Sequence, residues 1–385
     1  MQRYFYIFNL FFFLLKLGIS QDLPKISEVK DTTVIRLIKK LEIAEHDTTK
    51  VNIYWSWSDI VFINDTELDF ILCKKINEIC SKNIEKELKE NDKKFFLRKK
   101  APALFKMGLY YSRKGDYEKA VEYYNNSMSF YKLLKDKHGE SNCLHNIGAI
   151  YHKKDNYSQA ITLYIRSLKI NEQLGNKEEI ANCLENIGLI FYDQEDYDNA
   201  IKYLNRSFEI NKERGNKLDI ASSMLNIALI YLAKKDYDKA IEMNLKALNV
   251  LDKPKNKRLM INAYVNIGSS FKGKKLYSKA LEYIFKSLEI AETLEYKNDI
   301  AMALSKIGIL YYEQKDYSKA IEYSNKALLI AKEIETMYTV KETLNTLYEC
   351  YKAKKNYKLS LEMHEEYMEI WDSISSEESQ QEILK

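Results

Sequence analysis

Three histidines at intervals of seven residues are the first side chains in this chain whose types and spacing could do chemistry. His138, His145 and His152 would form a zinc site if their imidazoles converged on one ion. On one helix, however, each step of seven residues is about 10 Å along the axis, because the rise is about 1.5 Å per residue. No two of these histidines can then share an ion, so the spacing argues against a metal site.

The five cysteines form no reactive or metal-binding motif either. Cys73 and Cys80 are seven positions apart on one predicted helix, which is too far for a mutual disulfide. Cys143 and Cys183 stand forty residues apart at equivalent positions, as small apolar packing residues do. The chain has no glycine-rich phosphate loop, Gly-x-Ser-x-Gly elbow or His-Glu-x-x-His motif. We therefore predict no enzyme activity, no metal and no cofactor, whereas the state of the cysteines stays open.

Asparagines recur at the same forty-residue interval. The repeated positions are Asn146, Asn186, Asn226 and Asn266 and, four residues earlier in three of the copies, Asn142, Asn182 and Asn262. Asn is a mediocre helix former, so its repetition inside predicted helices needs an explanation. A carboxamide both donates and accepts hydrogen bonds, which suits the backbone of an extended peptide whatever its sequence. The alternative is that each Asn bonds a neighbouring repeat or merely descends by duplication.

The elements that carry these side chains repeat with the same period. One tyrosine marks each copy, at Tyr117, Tyr157, Tyr197, Tyr237, Tyr277, Tyr317 and Tyr357. Most copies have an apolar residue ten positions before this tyrosine, an aromatic residue six before it and an alanine three after it. A fixed period in this range indicates an array of one supersecondary unit.

Residues 141–180 show why each copy is interpreted as two antiparallel helices. Ile147 and Tyr151 lie on one face of a first helix, and Asn156 is a good N-cap for a second one. Gly148 is small because two helix backbones must approach closely there. One such pair cannot bury its apolar faces alone, so neighbouring copies must stack.

This frame resembles the tetratricopeptide repeat (TPR). Counted from Ser141 as position 1, the family pattern expects a large apolar residue at 4, Leu or Ile at 7, Gly at 8, an aromatic at 11, Ala at 20 and Ala or Ser at 27. The chain has Leu144, Ile147, Gly148, Tyr151, Ala160 and Ser167 at these places. Seven copies cover residues 101 to about 380, each forty residues long where the family usually has 34. The resemblance implies an all-α fold, a right-handed TPR-type superhelical solenoid of antiparallel helix pairs.

In the TPR family the first helices line a concave groove through positions 2, 5, 6, 9, 12 and 13. The resemblance therefore places the repeated asparagines, at positions 2 and 6, in a ligand-binding groove. The other expected groove residues are His145, Leu189, Leu225 and Leu229, with Leu232, Val265 and Ile309 nearby in an apolar middle. A similar asparagine ladder occurs in peptide-binding TPR grooves such as those of kinesin light chains. A clamp for acidic chaperone tails is disfavoured, because positions 5 and 9 of the second copy are His145 and Ala149 rather than Lys and Asn.

The N-terminus predicts export. A short basic start is followed by an apolar stretch of about fifteen residues, with Gly18 and Ser20 at positions −3 and −1 of a cleavage site. We predict a periplasmic or secreted protein that is cleaved after Ser20. The alternative is an uncleaved anchor, which the short and interrupted apolar run disfavours.

Residues 21–100 lack the period but keep helical patterning, and Thr66 with Asp69 resembles a capping box that opens a helix. Trp55 and Trp57 would be buried in this segment or, alternatively, form a separate ligand pocket. Pro102 is expected in the first turn of a helix. The predicted organisation is a signal peptide at 1–20, a degenerate helical N-terminal cap at 21–100, seven TPR-like repeats at 101–380 and a tail at 381–385.

The composition favours an interaction protein without a nucleic acid partner. The net charge is +4, and residues of both signs are interspersed with no basic stripe. We predict a non-catalytic, exported scaffold whose groove binds a protein or an extended peptide. The alternative is the ligand-sensing portion of a bacterial envelope signalling protein. Its membrane-anchored signalling partner or output module (histidine kinase, cyclase or DNA-binding domain) would then be missing from or separate from this chain.

Overall fold

A computed structural model describes residues 32–251 and 255–383, and every regular element in these ranges is an α-helix. Among the described helices, none is both long enough and apolar enough to cross a membrane. The predicted signal peptide with its cleavage after Ser20, and the end of the predicted tail, lie outside the described residues. The all-helical prediction is confirmed for the part of the chain that is described.

Seventeen helices occur in the described ranges, three in the N-terminal segment and fourteen in the repeats. The first three are α1 Thr32–Glu42, α2 Asp47–Val61 and α3 Thr66–Ile84. The repeats comprise α4 Glu90–Lys114, α5 Tyr117–Leu133, α6 Lys137–Lys153, α7 Tyr157–Leu174, α8 Lys177–Asp193, α9 Tyr197–Arg214, α10 Lys217–Ala233, α11 Tyr237–Val250, α12 Lys257–Gly273, α13 Tyr277–Thr293, α14 Lys297–Glu313, α15 Tyr317–Glu333, α16 Met337–Ala353 and α17 Tyr357–Ile383. Even-numbered helices from α4 to α16 are therefore the first helices of the seven copies, and each packs against the helix that follows it.

The chain divides into two compact units, residues 1–175 and residues 176–385. The described helices of the first unit are α1–α7, and one apolar cluster joins the N-terminal helices to α4 through Trp57, Ile76 and Leu104. The second unit contains α8–α17, where successive apolar clusters each join one helix pair to the next. Each copy thus buries its apolar residues against neighbouring copies, as expected for a repeat array.

The second helices begin where the sequence predicts. Asn156 caps α7, because its side-chain oxygen accepts a hydrogen bond from the backbone N–H of Gln159 at 3.3 Å. Aspartates cap the second helices of four other copies in the same way, at Asp116, Asp196, Asp236 and Asp316. Such caps satisfy backbone donors that a helix start otherwise leaves unpaired. The predicted N-cap at Asn156 is confirmed.

Small residues allow the two helices of a pair to approach closely, as predicted for Gly148. A Cβ built on Gly148 would stand 3.2 Å from the ring of Tyr164. In the fifth copy, a Cβ on Gly268 would be 2.5 Å from Ile284 Cδ1 and 3.3 Å from the carbonyl oxygen of Ala280. The side chain on the second helix therefore occupies the space that glycine leaves.

Two details of the N-terminal region differ from the sequence analysis. Helix α3 is capped by Asp65, whose carboxylate accepts from the N–H of Leu68 at 2.9 Å, so the predicted capping box at Thr66 is wrong by one residue. Pro102 lies in the interior of α4, which begins at Glu90. The reason is that the first helix of the first copy extends N-terminally beyond the repeat frame. The predicted boundary between residues 100 and 101 thus falls inside a helix.

Candidate functional site

In the first unit, the predicted groove residues all lie on α6. The amide nitrogen of Asn146 donates to the backbone carbonyl of Asn142 at 2.9 Å, within the helix. The side-chain nitrogen of Asn142 lies 3.3 Å from Nε2 of His138, and the ring of His145 packs edge-on against Tyr164. Asn142, His145 and Asn146 are all half-buried.

In the second unit, one predicted asparagine bonds a neighbouring repeat. The amide nitrogen of Asn226 on α10 donates to Oε1 of Glu185 on α8 at 2.8 Å. Asn186 instead donates to the carbonyl of Asn182 in its own helix at 3.0 Å. Burial raises the pKa of the Glu185 carboxyl, and the hydrogen bond from Asn226 partly opposes this shift. Asn226 therefore fits the alternative interpretation of the repeated asparagines, in which the side chain bonds a neighbouring repeat.

The predicted apolar residues of the groove divide between surface and core. Leu189 on α8 and Leu229 on α10 are half-buried. Leu225 is only 6 % exposed and belongs to an apolar cluster with Ala221 and Leu248. Leu225 therefore serves mainly to pack its repeat against the next one.

Helix α12 presents carboxamides that are not used by the fold. Asn262 is exposed and Asn266 half-buried, and neither side chain has a hydrogen-bond partner among the described residues. Asn262, Asn266, Ser269 and Gly273 follow one another at i, i+4, i+7 and i+11, so they lie on one face of the helix. The carboxamides on this face are free to bond a ligand.

A cavity of about 380 Å³ lies in the second unit, against this face of α12. Its walls come from the first helices α10, α12, α14 and α16, from the start of α11 and from the middle of α13. The lining residues are Leu232, Ala233, Lys235, Tyr237, Gly268, Ser269, Lys272, Gly273, Ile284, Lys306, Ile309, Leu310 and Glu342. We call it the lysine-rimmed cavity; its volume falls within the range of small-ligand sites.

The charges around the lysine-rimmed cavity are unbalanced. Lys235, Lys272 and Lys306 line it, and none of them forms an ion pair among the described residues. The one lining carboxylate, Glu342, accepts a hydrogen bond from Ser305 Oγ at 3.0 Å. The cavity thus combines apolar side chains with an excess of positive charge.

Gly273 lets a tyrosine ring pack closely against α12. A Cβ at this position would stand 2.3 Å from Cζ of Tyr237, so the tyrosine ring lies directly against the glycine backbone. In the next copy the equivalent residue is Glu313, whose carboxylate accepts from the hydroxyl of Tyr277 at 3.3 Å. The contact of Tyr237 with Gly273 therefore depends on a residue in which this copy differs from its neighbour.

A buried polar cluster in the first unit was not anticipated from the sequence. Ser58 Oγ donates to Oδ1 of Asp69, and Lys106 Nζ donates to Ser58 Oγ at 2.8 Å and lies 3.6 Å from Asp69 Oδ1. A serine beside a lysine can serve as an activated nucleophile, but Ser58 is fully buried and its hydroxyl proton is held by Asp69. The arrangement stabilises a buried carboxylate. Its sequence signal is Lys106 itself, at the position where the next four copies have Asn.

The cysteines and histidines behave as packing and surface residues. All five cysteines are free and buried. Among the described residues, no group of three or more His, Cys, Asp or Glu side chains is placed to hold a metal ion.

The sequence pattern of the tetratricopeptide repeat matches residues 100–173, 178–253 and 259–333, which together make up more than half of the chain. The chain belongs to the tetratricopeptide repeat family. A comparison with curated protein sequences found no match.

Solved structures of TPR proteins share this fold. The apo form of the quorum sensor NprR from B. thuringiensis superposes with a TM-score of 0.65 at 14 % identity, over 94 % of this chain and 96 % of the other. The apo form of RapI gives 0.59 at 20 % identity, over 72 % and 99 %. The Rap conjugation gene regulator of plasmid pLS20, in complex with the Phr* peptide, gives 0.51 at 14 % identity, over 85 % and 96 %. At these identities the likeness establishes the fold alone.

The TPR numbering also explains where the lysine-rimmed cavity lies. Leu232 and Ala233 are at positions 12 and 13 of the fourth copy, and Ser269, Lys272 and Gly273 at positions 9, 12 and 13 of the fifth. Two more lining residues, Lys306 and Ile309, occupy positions 6 and 9 of the sixth copy, and Glu342 occupies position 2 of the seventh. The cavity therefore runs diagonally across the first helices, from late positions in one TPR copy to early positions in the next. Only Leu232 and Ile309 of this set were expected near the ligand from the sequence.

Proposed function

We propose that this TPR protein is a non-catalytic scaffold that binds an extended peptide on the first helices of its second unit. The observation that carries the proposal is the face of α12 that holds Asn262 and Asn266, whose carboxamides lack hydrogen-bond partners among the described residues and lie beside the lysine-rimmed cavity. A free carboxamide can donate to and accept from a peptide backbone. Cavity and carboxamides together offer a peptide both sequence-independent and side-chain contacts.

The structural relatives support a peptide ligand only by analogy. The structure of the Rap regulator of plasmid pLS20 is of its complex with the Phr* peptide, and this regulator shares the fold at low identity. Function does not follow from fold alone, so the argument rests on the residues of this chain.

The test is selection of a random-peptide library displayed on phage with the full-length protein. Wild type should enrich a family of related peptides. In the variant Asn262→Ala/Asn266→Ala the helix should persist, since Ala is the better helix former. It should bind the enriched peptides about tenfold or more weakly, because each lost neutral hydrogen bond costs roughly 0.5–1.5 kcal/mol.

The matched control is Asn205→Ala/Asn325→Ala. It removes two exposed asparagines from the middle of the second helices α9 and α15, so affinity should stay at the wild-type value. If no peptide is enriched, or if both double variants bind equally well, the proposed site is wrong. Asn226 is left out of the test variant because its loss would also leave Glu185 unpaired.

We also propose that the protein acts outside the cytoplasm, in the periplasm or as a secreted protein. The proposal rests on the basic and apolar start of the sequence and on Gly18 and Ser20 before the expected cleavage point. Ligand sensing for a membrane-anchored signalling partner, the alternative use of such an array, stays a prediction.

A further inference from the structure

The lysine-rimmed cavity differs from the surrounding surface in how its lysines are paired. Just outside it, Lys234 pairs with Asp198 at 2.7 Å, Lys239 pairs with Asp236 at 2.7 Å, and Lys274 pairs with Asp238. The lysines of the cavity, by contrast, form no ion pair among the described residues, although carboxylates are abundant in this chain. An anion that enters the cavity therefore gains a cationic environment without breaking existing ion pairs.

The inner part of the cavity is apolar. Leu232, Ile284 and Ile309 contribute aliphatic side chains from three different helices, and Ile284 and Tyr237 pack closely against Gly268 and Gly273 of α12. Burying an apolar side chain there would be favourable, because it removes apolar surface from water. The cavity thus suits a ligand with an apolar and an anionic part close together.

Glu342 gives the cavity a direction. Glu342 lies on α16, at one end of the cavity. Lys235, just before α11, and Lys272, on α12, lie at the other end, with Lys306 between them and Glu342 in the order of the helices. An anionic group is repelled near Glu342 and attracted near Lys235 and Lys272. A bound segment is therefore expected to place its carboxylate toward α10–α12 and its uncharged part toward α16.

We propose that the cavity selects peptides in which a large apolar residue stands next to an internal Asp or Glu. The apolar side chain enters between Leu232, Ile284 and Ile309, and the carboxylate lies among the three lysines. This inference rests on the proposed function, and it names the class of peptide that the scaffold prefers.

The experiment repeats the phage selection with two charge variants of the full-length protein. The cavity variant is Lys272→Gln/Lys306→Gln, which keeps long polar side chains but removes two of the three charges. The control is Lys234→Gln/Lys274→Gln, which removes the same charge from lysines that already have partners. Wild type and control should enrich peptides with adjacent apolar and acidic residues, whereas the cavity variant should lose the acidic residue from its consensus.

Synthetic forms of one enriched peptide then measure the contact. Both ends are capped, and the acidic residue is present or replaced by its amide. Wild type should bind the acidic form roughly tenfold more tightly than the amide form, as expected when hydrogen bonds to a charged group are lost. The cavity variant should bind both forms about equally, and the control variant should retain the difference.

Three results would overturn the inference. Enriched peptides without an acidic residue would show that a peptide groove exists but that its selectivity lies elsewhere. Binding that requires a free C-terminal carboxylate or a phosphate group would assign the lysines to a different anion. A preference for acid that persists in the cavity variant would place the recognition outside this cavity. Failure to enrich any peptide would refute the proposed function itself.

Discussion

At the scale of single residues, one buried and one half-buried carboxylate are held by side chains from distant positions. Asp69 accepts from Ser58 and lies beside Lys106, and Glu185 accepts from Asn226. Burial is the largest influence on both and raises the pKa of each carboxyl above its ordinary value. These bonds limit the cost of placing charge where little water remains.

The Glu185 carboxyl should make the stability of the second unit depend on pH. Because its folded-state pKa is raised, the folded chain holds this proton more tightly than the unfolded chain. The protonated Glu185 carboxyl therefore stabilises the fold fully at pH values below its ordinary pKa of 4.5. This stabilisation is lost as the pH rises from that value through the raised pKa of the folded chain. At neutral pH the variant Glu185→Gln should have a larger free energy of unfolding than wild type. This difference should disappear at pH values below the ordinary pKa of the Glu carboxyl.

Chemical denaturation across this pH range measures the effect. The control is Glu289→Gln, on an exposed position of α13, whose stability should follow wild type throughout. Equal pH dependence of Glu185→Gln and wild type would contradict the prediction.

Lys106 should be needed for the stability of the first unit. Lys106→Met leaves Asp69 buried without its cation, and removal of one partner from such a pair typically costs about 3–5 kcal/mol. Lys114→Met is the control, since its ion pair with Glu67 is exposed on both sides and should contribute only about 0.2–1 kcal/mol. Adding Asp69→Asn to Lys106→Met should recover part of the lost free energy of unfolding. If nothing is recovered, the loss comes from the packing of the aliphatic part of the lysine side chain and not from its charge.

At the scale of helices, the two members of a pair are matched by complementary side-chain sizes. Gly268 on α12 faces Ile284 on α13. In the last copy the first helix carries a large side chain at the glycine position. This residue is Tyr348, and its ring packs against His364 of the second helix, with ring centroids 4.8 Å apart. Close packing makes such contacts sensitive to one added methyl group.

Gly268→Ala should therefore destabilise the second unit, although Ala is favoured over Gly in helices by about 1 kcal/mol. Overpacking against Ile284 costs roughly 1–3 kcal/mol, since the new Cβ would be 2.5 Å from Cδ1. In an Ile284→Ala background the clash is absent, so the same change should become neutral or stabilising. A double-mutant cycle by denaturation measures this coupling, and additive effects would show that the two residues do not compete for space.

At the scale of the whole molecule, stability comes from contacts between neighbouring copies. In the second unit, Ala301 and Ala331 pack with Val340 and Leu344 of the last copy, where Met363 and Tyr367 of α17 join them. A repeat array behaves approximately as a chain of nearest-neighbour interactions. Loss of an end copy should thus affect mainly the copy beside it.

A chain that ends at Glu335 lacks α16 and α17 and should lose protection from hydrogen exchange in α14 and α15. Helices α8 and α9, several copies away in the same unit, should keep the protection seen in the full-length protein. Mass spectrometry of exchanged peptides measures this. Loss of protection throughout the unit would mean that its copies unfold as one cooperative block.

Export should remove the N-terminal segment of the whole chain. Protein recovered from the envelope or the medium of a secreting bacterial host should begin at Gln21, because Gly18 and Ser20 suit the cleavage site. A variant without residues 2–20 should remain in the cytoplasm. Recovery of full-length protein that begins at Met1 from the cytoplasm would contradict the prediction.

The sequence by itself determined the elements of this protein. Helix pairs, N-caps such as Asn156 and the small residue at Gly148 are confirmed, since they depend on spacing within about forty residues and on local backbone preferences. The start of α3 at Asp65 rather than Thr66 shows the limit of that reasoning at helix ends.

Only the tertiary structure decided how these elements meet. Three contacts join residues 36 or more positions apart: the hydrogen bond from Asn226 to Glu185, the contact of Lys106 with Ser58 and the packing of Tyr237 against Gly273. Their contacts depend on the register and crossing of neighbouring helices, which shift by ångströms with the side chains packed between them. The forty-residue frame predicts the same face in every copy, but the cavity beside α12 depends on the packing of neighbouring helices, and its three lysines form no ion pair among the described residues.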